Sequence, residues 1–162
     1  MPPRASRSEP PAPTFEVGAT PERALYLLVR HLGGVLAKEL AGVLEPFGVT
    51  PEQYHTLRIL RDGGPEGLPC SAIAERAVSG DPDVTRLLDR LERQEWAVRA
   101  RDETDRRVVI ARLTAEGRRL LGRLEKAVAE LHAGQFDALG AREVAELREL
   151  LERAARRPGS PS

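Results

Sequence analysis

Cysteine is almost missing from this chain of 162 residues, in which Cys70 stands alone. One thiol excludes an intrachain disulfide and a thiolate zinc site, and it suits a reducing compartment, so the expected location is the cytoplasm. Lysine is nearly as scarce. Lys38 and Lys126 are the only two, so the positive charge is arginine, whose planar fork fits phosphates and guanine edges better than an ammonium does. A genomic base composition that enriches Arg and Ala together accounts for the same bias. Aromatic residues make up 4%, no apolar run approaches a membrane span, and the start lacks the apolar core of a secretory signal. Neither sign of charge is in excess: 25 Lys+Arg against 25 Asp+Glu leave a formal net charge of zero, which runs against adhesion to nucleic acid by bulk charge. A phosphate-cradling glycine loop, a nucleophile elbow and a paired-histidine motif are also missing, and Gly33-Gly34 and Gly63-Gly64 lack the strand-to-helix setting that would give them such a role. No enzyme, no cofactor and no metal site is expected.

What the chain does have is helical periodicity with clear punctuation. Residues 1–20 and 157–162 are rich in Pro, Ser, Ala or Gly and poor in large apolar residues, so both are expected to be disordered tails. Leu25, Leu28, Val29, Leu32, Leu36, Leu40, Val43 and Leu44 recur at three- and four-residue steps and predict a long amphipathic helix, with Gly33-Gly34 as a place for a bend. Thr50-Pro51-Glu52-Gln53 supplies an N-cap, a proline at the first helical position and a reciprocal capping partner, opening a second helix that buries Tyr54, Leu57 and Leu60. After the break at Asp62-Gly63-Gly64-Pro65, Ser71 is read as the cap of a short third helix with Ile73, Ala74, Ala77 and Val78 inward. A turn at Ser79-Gly80 precedes a fourth helix, capped by Asp81 with Pro82 at its first position.

That fourth helix buries Val84, Leu87, Leu88 and Leu91 and carries Thr85, Arg86, Asp89, Arg90 and Arg93 on its other face. Two alternating runs, residues 96–101 and 108–113, flank the polar turn Asp102-Glu103-Thr104-Asp105-Arg106-Arg107 and read as a two-stranded hairpin. Thr114 caps a fifth helix with Leu120, Leu121, Leu124, Val128 and Leu131 inward, and Val144, Leu147, Leu150 and Leu151 mark a sixth. The order α-α-α-α-β-β-α-α is that of a winged helix-turn-helix, a mainly α fold whose fourth helix fits a major groove while the basic hairpin reaches an adjacent minor groove. Between Arg76 and Arg112 nine arginines face eight carboxylates, so a basic surface there requires the acids to be turned away or paired.

Thr50-Pro51-Glu52-Gln53, the run from Pro82 to Glu92, Thr104-Asp105-Arg106-Arg107 and Leu113-Thr114-Ala115-Glu116-Gly117 together resemble the MarR family of bacterial transcription regulators. The resemblance implies a homodimer that binds a pseudo-palindromic site on double-stranded DNA and represses transcription. It also implies an organisation: a dimerisation helix over 21–48, a winged helix-turn-helix over 49–114 and C-terminal dimerisation helices over 115–156. Arg107 matches the wing-tip arginine that enters the minor groove, beside Arg106, and Asp105 matches the acid that braces it. Thr85, Arg86 and Arg90 fall on the reading face of the recognition helix. His31 and His55 lie on helices that border a cleft for a small effector such as a phenolic acid. Two departures stand out: Glu95 occupies a position where the family often has glycine, and Asp81 and Asp83 flank the recognition helix start. Cys70 is not where oxidant-sensing relatives place their cysteine.

Each of these residues has a plainer role open to it. Thr85, Arg86 and Arg90 suit the wet face of any surface helix, Asp105 and Arg107 suit an exposed turn, and both histidines suit ordinary packing. The alternative for the whole chain is a winged helix used as a protein-interaction module without DNA.

Overall fold

The computed structural model describes residues 20–77 and 84–156. The expected turn at Ser79-Gly80, the cap by Asp81 and Pro82, and both expected tails lie outside them, apart from Thr20. The chain forms two compact units, one ending at Lys38 and the other beginning at Glu39.

Helix α1 (Pro21–Leu44) runs without interruption, so Gly33-Gly34 does not break it. In the first unit its apolar positions Leu25, Tyr26, Leu28, Val29 and Leu32 are exposed. In the second unit Leu40 and Leu44 are buried, and a 3-10 turn (Glu45–Phe47) ends on Gly48 in the left-handed conformation. Helix α2 (Pro51–Asp62) opens on the expected capping box: Gln53 N–H donates to Thr50 Oγ1 at 3.3 Å and Thr50 N–H donates to Gln53 Oε1 at 2.9 Å. It buries Tyr54, Leu57 and Leu60 as predicted.

Two expectations need correction here. Helix α3 (Cys70–Arg76) begins one residue before Ser71 and has no side-chain cap, so Ser71 lies inside the helix. Of its expected inward residues Ile73 is fully buried while Ala74 faces out. The physical reason is β1 (Leu68–Pro69), a strand that runs directly into the helix and leaves no capping residue between them. A two-residue strand carries no periodicity to read, and it makes the sheet three-stranded rather than a simple hairpin.

Helix α4 (Val84–Arg93) buries Val84, Leu88 and Leu91, with Leu87 half-buried. Strands β2 (Ala97–Arg101) and β3 (Val109–Leu113) pair antiparallel, and the sheet order is β1-β3-β2. Ala97, Ala111 and Leu113 join the core, whereas Val98 is exposed. Helix α5 (Ala115–Gln135) is capped by Thr114, whose Oγ1 accepts from Gly117 N–H at 3.0 Å. Leu120, Leu121, Leu124 and Val128 pack into the same core as α2 and α4. Each such fully buried Leu contributes about 1.5–3 kcal/mol. Gly117 is where α5 meets the sheet: a Cβ there would stand 2.1 Å from the Trp96 carbonyl oxygen. Helix α6 (Ala141–Ala155) has no buried residue, and its expected inward positions Val144, Leu150 and Leu151 are exposed.

Candidate nucleic-acid interface

Helix α4 ends in a six-residue closure that aims the chain into the hairpin. Trp96 N–H donates to the Leu91 carbonyl and Glu95 N–H to the Glu92 carbonyl, both at 2.9 Å. This is the Schellman pattern, which needs a left-handed residue between them. Glu95 fills that position with φ 59°, the only non-glycine residue at positive φ among the described residues. The departure from glycine therefore leaves the turn intact and loads it with strain. Thr114 reinforces the corner, because its hydroxyl donates to the Glu95 carbonyl at 2.6 Å and its N–H to the Trp96 carbonyl at 3.1 Å.

Thr85, Arg86, Arg90 and Arg93 all lie exposed on α4, opposite the buried stripe of Val84, Leu88 and Leu91. Asp89, on the same helix, is only half-exposed and pairs with Arg99 of β2. Arg99 also grips Glu92: Nε donates to Oε2 at 2.9 Å, Nη2 to the same oxygen at 2.6 Å, and the backbone N–H to Oε1 at 2.7 Å. The Arg99 guanidinium accordingly holds the Glu92 carboxyl below its usual range. Two of the acids that offset the arginines in the sequence count are thus tied up within the fold.

At the wing the turn is built by its own carboxylates. Asp102 Oδ1 accepts from the N–H groups of Thr104 and Asp105, both at 2.9 Å, and these bonds, that of Asp105 first, hold its carboxyl below the usual carboxylate range. Asp105 Oδ1 accepts from Arg107 N–H at 3.0 Å. Asp105 therefore supports Arg107 through the backbone, as an Asx turn does, rather than through an ion pair with its guanidinium. Arg101 Nη1 donates to the Arg106 carbonyl at 2.9 Å and closes the hairpin from the strand side. Glu103, Thr104, Asp105, Arg106 and Arg107 are all exposed.

The geometry brings together an exposed helix face bearing Thr85, Arg86 and Arg90 and a turn bearing Arg106 and Arg107, within one compact unit. A profile of the MarR family matches residues 49–109, which spans α2, α3, α4 and the hairpin turn. A solved MarR transcription factor from Planctomyces limnophilus is 35% identical over 85% of this chain and 98% of its own, with a TM-score of 0.65.

The chain belongs to the MarR family.

A mutant MarR from Escherichia coli, solved in complex with operator DNA, is 27% identical over 81% of this chain and 93% of its own, with a TM-score of 0.75. An HTH-type transcriptional repressor of Mycobacterium bovis is 28% identical over 85% of this chain and 97% of its own length. As a MarR family protein the chain is a transcriptional regulator with a winged helix fold.

The two histidines belong to different units. His31 is exposed on α1 in the first unit, while His55 belongs to α2 in the second. His55 is half-buried and its ring tilts against Tyr54 at 5.7 Å between centroids. Burial pushes its imidazole below the ordinary value, with the nearby Arg58 adding to the shift. Cys70 lines a cavity of about 280 Å³ with Pro69, Ser71, Arg107, Val108 and Val109. Burial pushes its thiol up, away from the reactive thiolate. Among the described residues no group of three or more His, Cys, Asp or Glu stands where it could hold a metal ion, and no helix is long and apolar enough to cross a membrane.

The sequence pattern missed the junction of helix and wing. Arg99 reaches Glu92 and Asp89 seven and ten positions back, across a turn, and no helical or strand period joins such positions. The one available signal is charge: Arg99 is flanked by alanines and valine on a strand otherwise destined for the sheet.

Proposed function

We propose that this MarR family regulator binds a pseudo-palindromic operator as a homodimer, with Thr85, Arg86 and Arg90 in the major groove and Arg106 and Arg107 at the minor groove. The observation that carries the reading is the pairing of Asp89 and Glu92 with Arg99, which leaves Arg86, Arg90 and Arg93 as the exposed charged residues of α4 although the chain as a whole is neutral. Backbone phosphates would then position the protein, and the arginine forks would read bases and groove width. Occupying such a site blocks polymerase, in keeping with the repressor name of the Mycobacterium bovis relative.

The dimer is supported by apolar surface that a single copy leaves open. Leu25, Tyr26, Leu28, Val29 and Leu32 on α1, and Val144, Leu150 and Leu151 on α6, are large hydrophobic residues exposed by 38–61%. A second copy related by a twofold axis would cover each of these surfaces on both chains. We assign the dimerisation role to residues 21–48 and 115–156 and DNA binding to 49–114. A small-molecule effector would release DNA by binding one lobe spacing better than another. His31 and His55 are the residues we assign to that effector, on the family resemblance.

Selection of bound duplexes from a randomised pool tests this function. Enrichment of a twofold-symmetric sequence with half-sites about one helical turn apart is expected. No enrichment would leave the winged helix as a protein-interaction module.

A further inference from the structure

Arg99 occupies the seam between the two DNA-facing elements. Its backbone N–H, Nε and Nη2 all end on Glu92, and Nη2 also meets Asp89, so both oxygens of Glu92 are engaged by a single residue. The side chain is 23% exposed, which screens these contacts less than an open surface pair. On one side of the seam α4 presents Thr85, Arg86 and Arg90; on the other, β2 leads into the turn with Arg106 and Arg107. A hinge here would change the separation of the two contact sets, and the left-handed Glu95 lies in the short chain segment that joins α4 to β2.

We propose that Arg99 is a positioning residue for DNA recognition: by gripping Glu92 and Asp89 it makes the recognition helix and the wing one body, so that Arg86 and Arg107 engage the duplex together. The inference rests on the DNA-binding reading above. A pre-set separation means that docking the helix also places the wing, and the ordering cost is met in the free protein. The fork geometry is essential, because one planar guanidinium serves two carboxylates where an ammonium is only a point charge.

The test uses Arg99→Lys and Arg99→Met in the full chain, against a duplex that the parent selects from a randomised pool and a scrambled duplex. Arg99→Lys keeps the charge and loses the fork. It is expected to weaken the selected duplex by about tenfold, the size of coupling found within one polar network, while binding the scrambled duplex almost as the parent does and keeping the parent's salt slope. In the parent, the losses from Arg86→Ala and Arg107→Ala are expected to be non-additive; on the Arg99→Lys background they should add. Parent-like affinity in folded Arg99→Lys would overturn the proposal. So would a salt slope lower by about one, which would make Arg99 a phosphate contact itself. Recovery of full affinity when Arg99→Met is combined with Asp89→Asn and Glu92→Gln would reduce its role to charge cancellation and also overturn it. If Arg99→Met does not fold, Arg99→Lys decides. A parent that selects no duplex defeats the DNA-binding reading itself, whereas a parent that binds alongside an unaffected variant defeats only the role of Arg99.

Discussion

Glu95 holds a backbone conformation that suits glycine, at φ 59°. A side chain in this region costs about 1–2 kcal/mol, part of which glycine gives back through its freer unfolded chain. Glu95→Gly is therefore expected to stabilise the protein by about 0.5–1 kcal/mol in urea unfolding; an unchanged midpoint would mean that the corner carries no strain. Gly117 is the converse case, since a Cβ would meet the Trp96 carbonyl oxygen at 2.1 Å. Gly117→Ala should cost about 1–3 kcal/mol, as overpacking against a fixed backbone does. His55 makes a prediction in pH. Burial depresses its imidazole in the folded chain, so the unfolded chain takes up a proton near pH ~6.5 that the folded chain takes up only at lower pH. Stability is present above that value and is lost as pH falls below it, and His55→Gln should flatten the slope between pH about 7 and 5. An equally steep slope in the variant would assign the effect to other groups.

At the scale of elements the wing and the recognition helix make separable predictions. Arg107→Ala should weaken operator binding and lower the salt slope, with folding nearly unchanged. Asp105 supports the turn through Arg107 N–H, so Asp105→Ala should lose much of the same affinity without additivity in the double variant, while Asp105→Asn, which keeps an acceptor oxygen, should retain most of it. Full affinity in Arg107→Ala would return the hairpin to a structural role. Arg86→Ala should cost about 1–3 kcal/mol on the operator and much less on random DNA; equal losses on both would make it a phosphate contact. Most of these elements were legible in the sequence because each has a local physical signature. The Thr50 capping box, the Thr114 cap, the stripe of Val84, Leu88 and Leu91 and the hairpin around residues 102–107 all depend on neighbours within a few positions. The start of α3 was misread at Ser71 because β1, two residues long, enters the helix directly. Glu92 and Arg99 were not foreseen as partners because their meeting depends on the angle of a turn, which no periodicity encodes.

For the whole molecule the decisive facts are an even charge count and apolar surface that one copy leaves exposed. Net neutrality does not prevent a DNA-binding face when Arg99 gathers Asp89 and Glu92 and leaves the neighbouring arginines outward. The exposed leucines of α1 and α6 predict a dimer, so sedimentation at micromolar concentration should give twice the 17.8 kDa of the chain. A clean monomer that still binds DNA would contradict the interface. The most direct test of the central claim is fluorescence anisotropy of the selected operator and its scrambled counterpart across a salt series. Sequence-specific binding through arginines predicts an operator preference of at least about 10³-fold at physiological salt, with log affinity falling linearly in log salt. Equal affinity for the two duplexes, or no measurable binding to either at low salt, would contradict it.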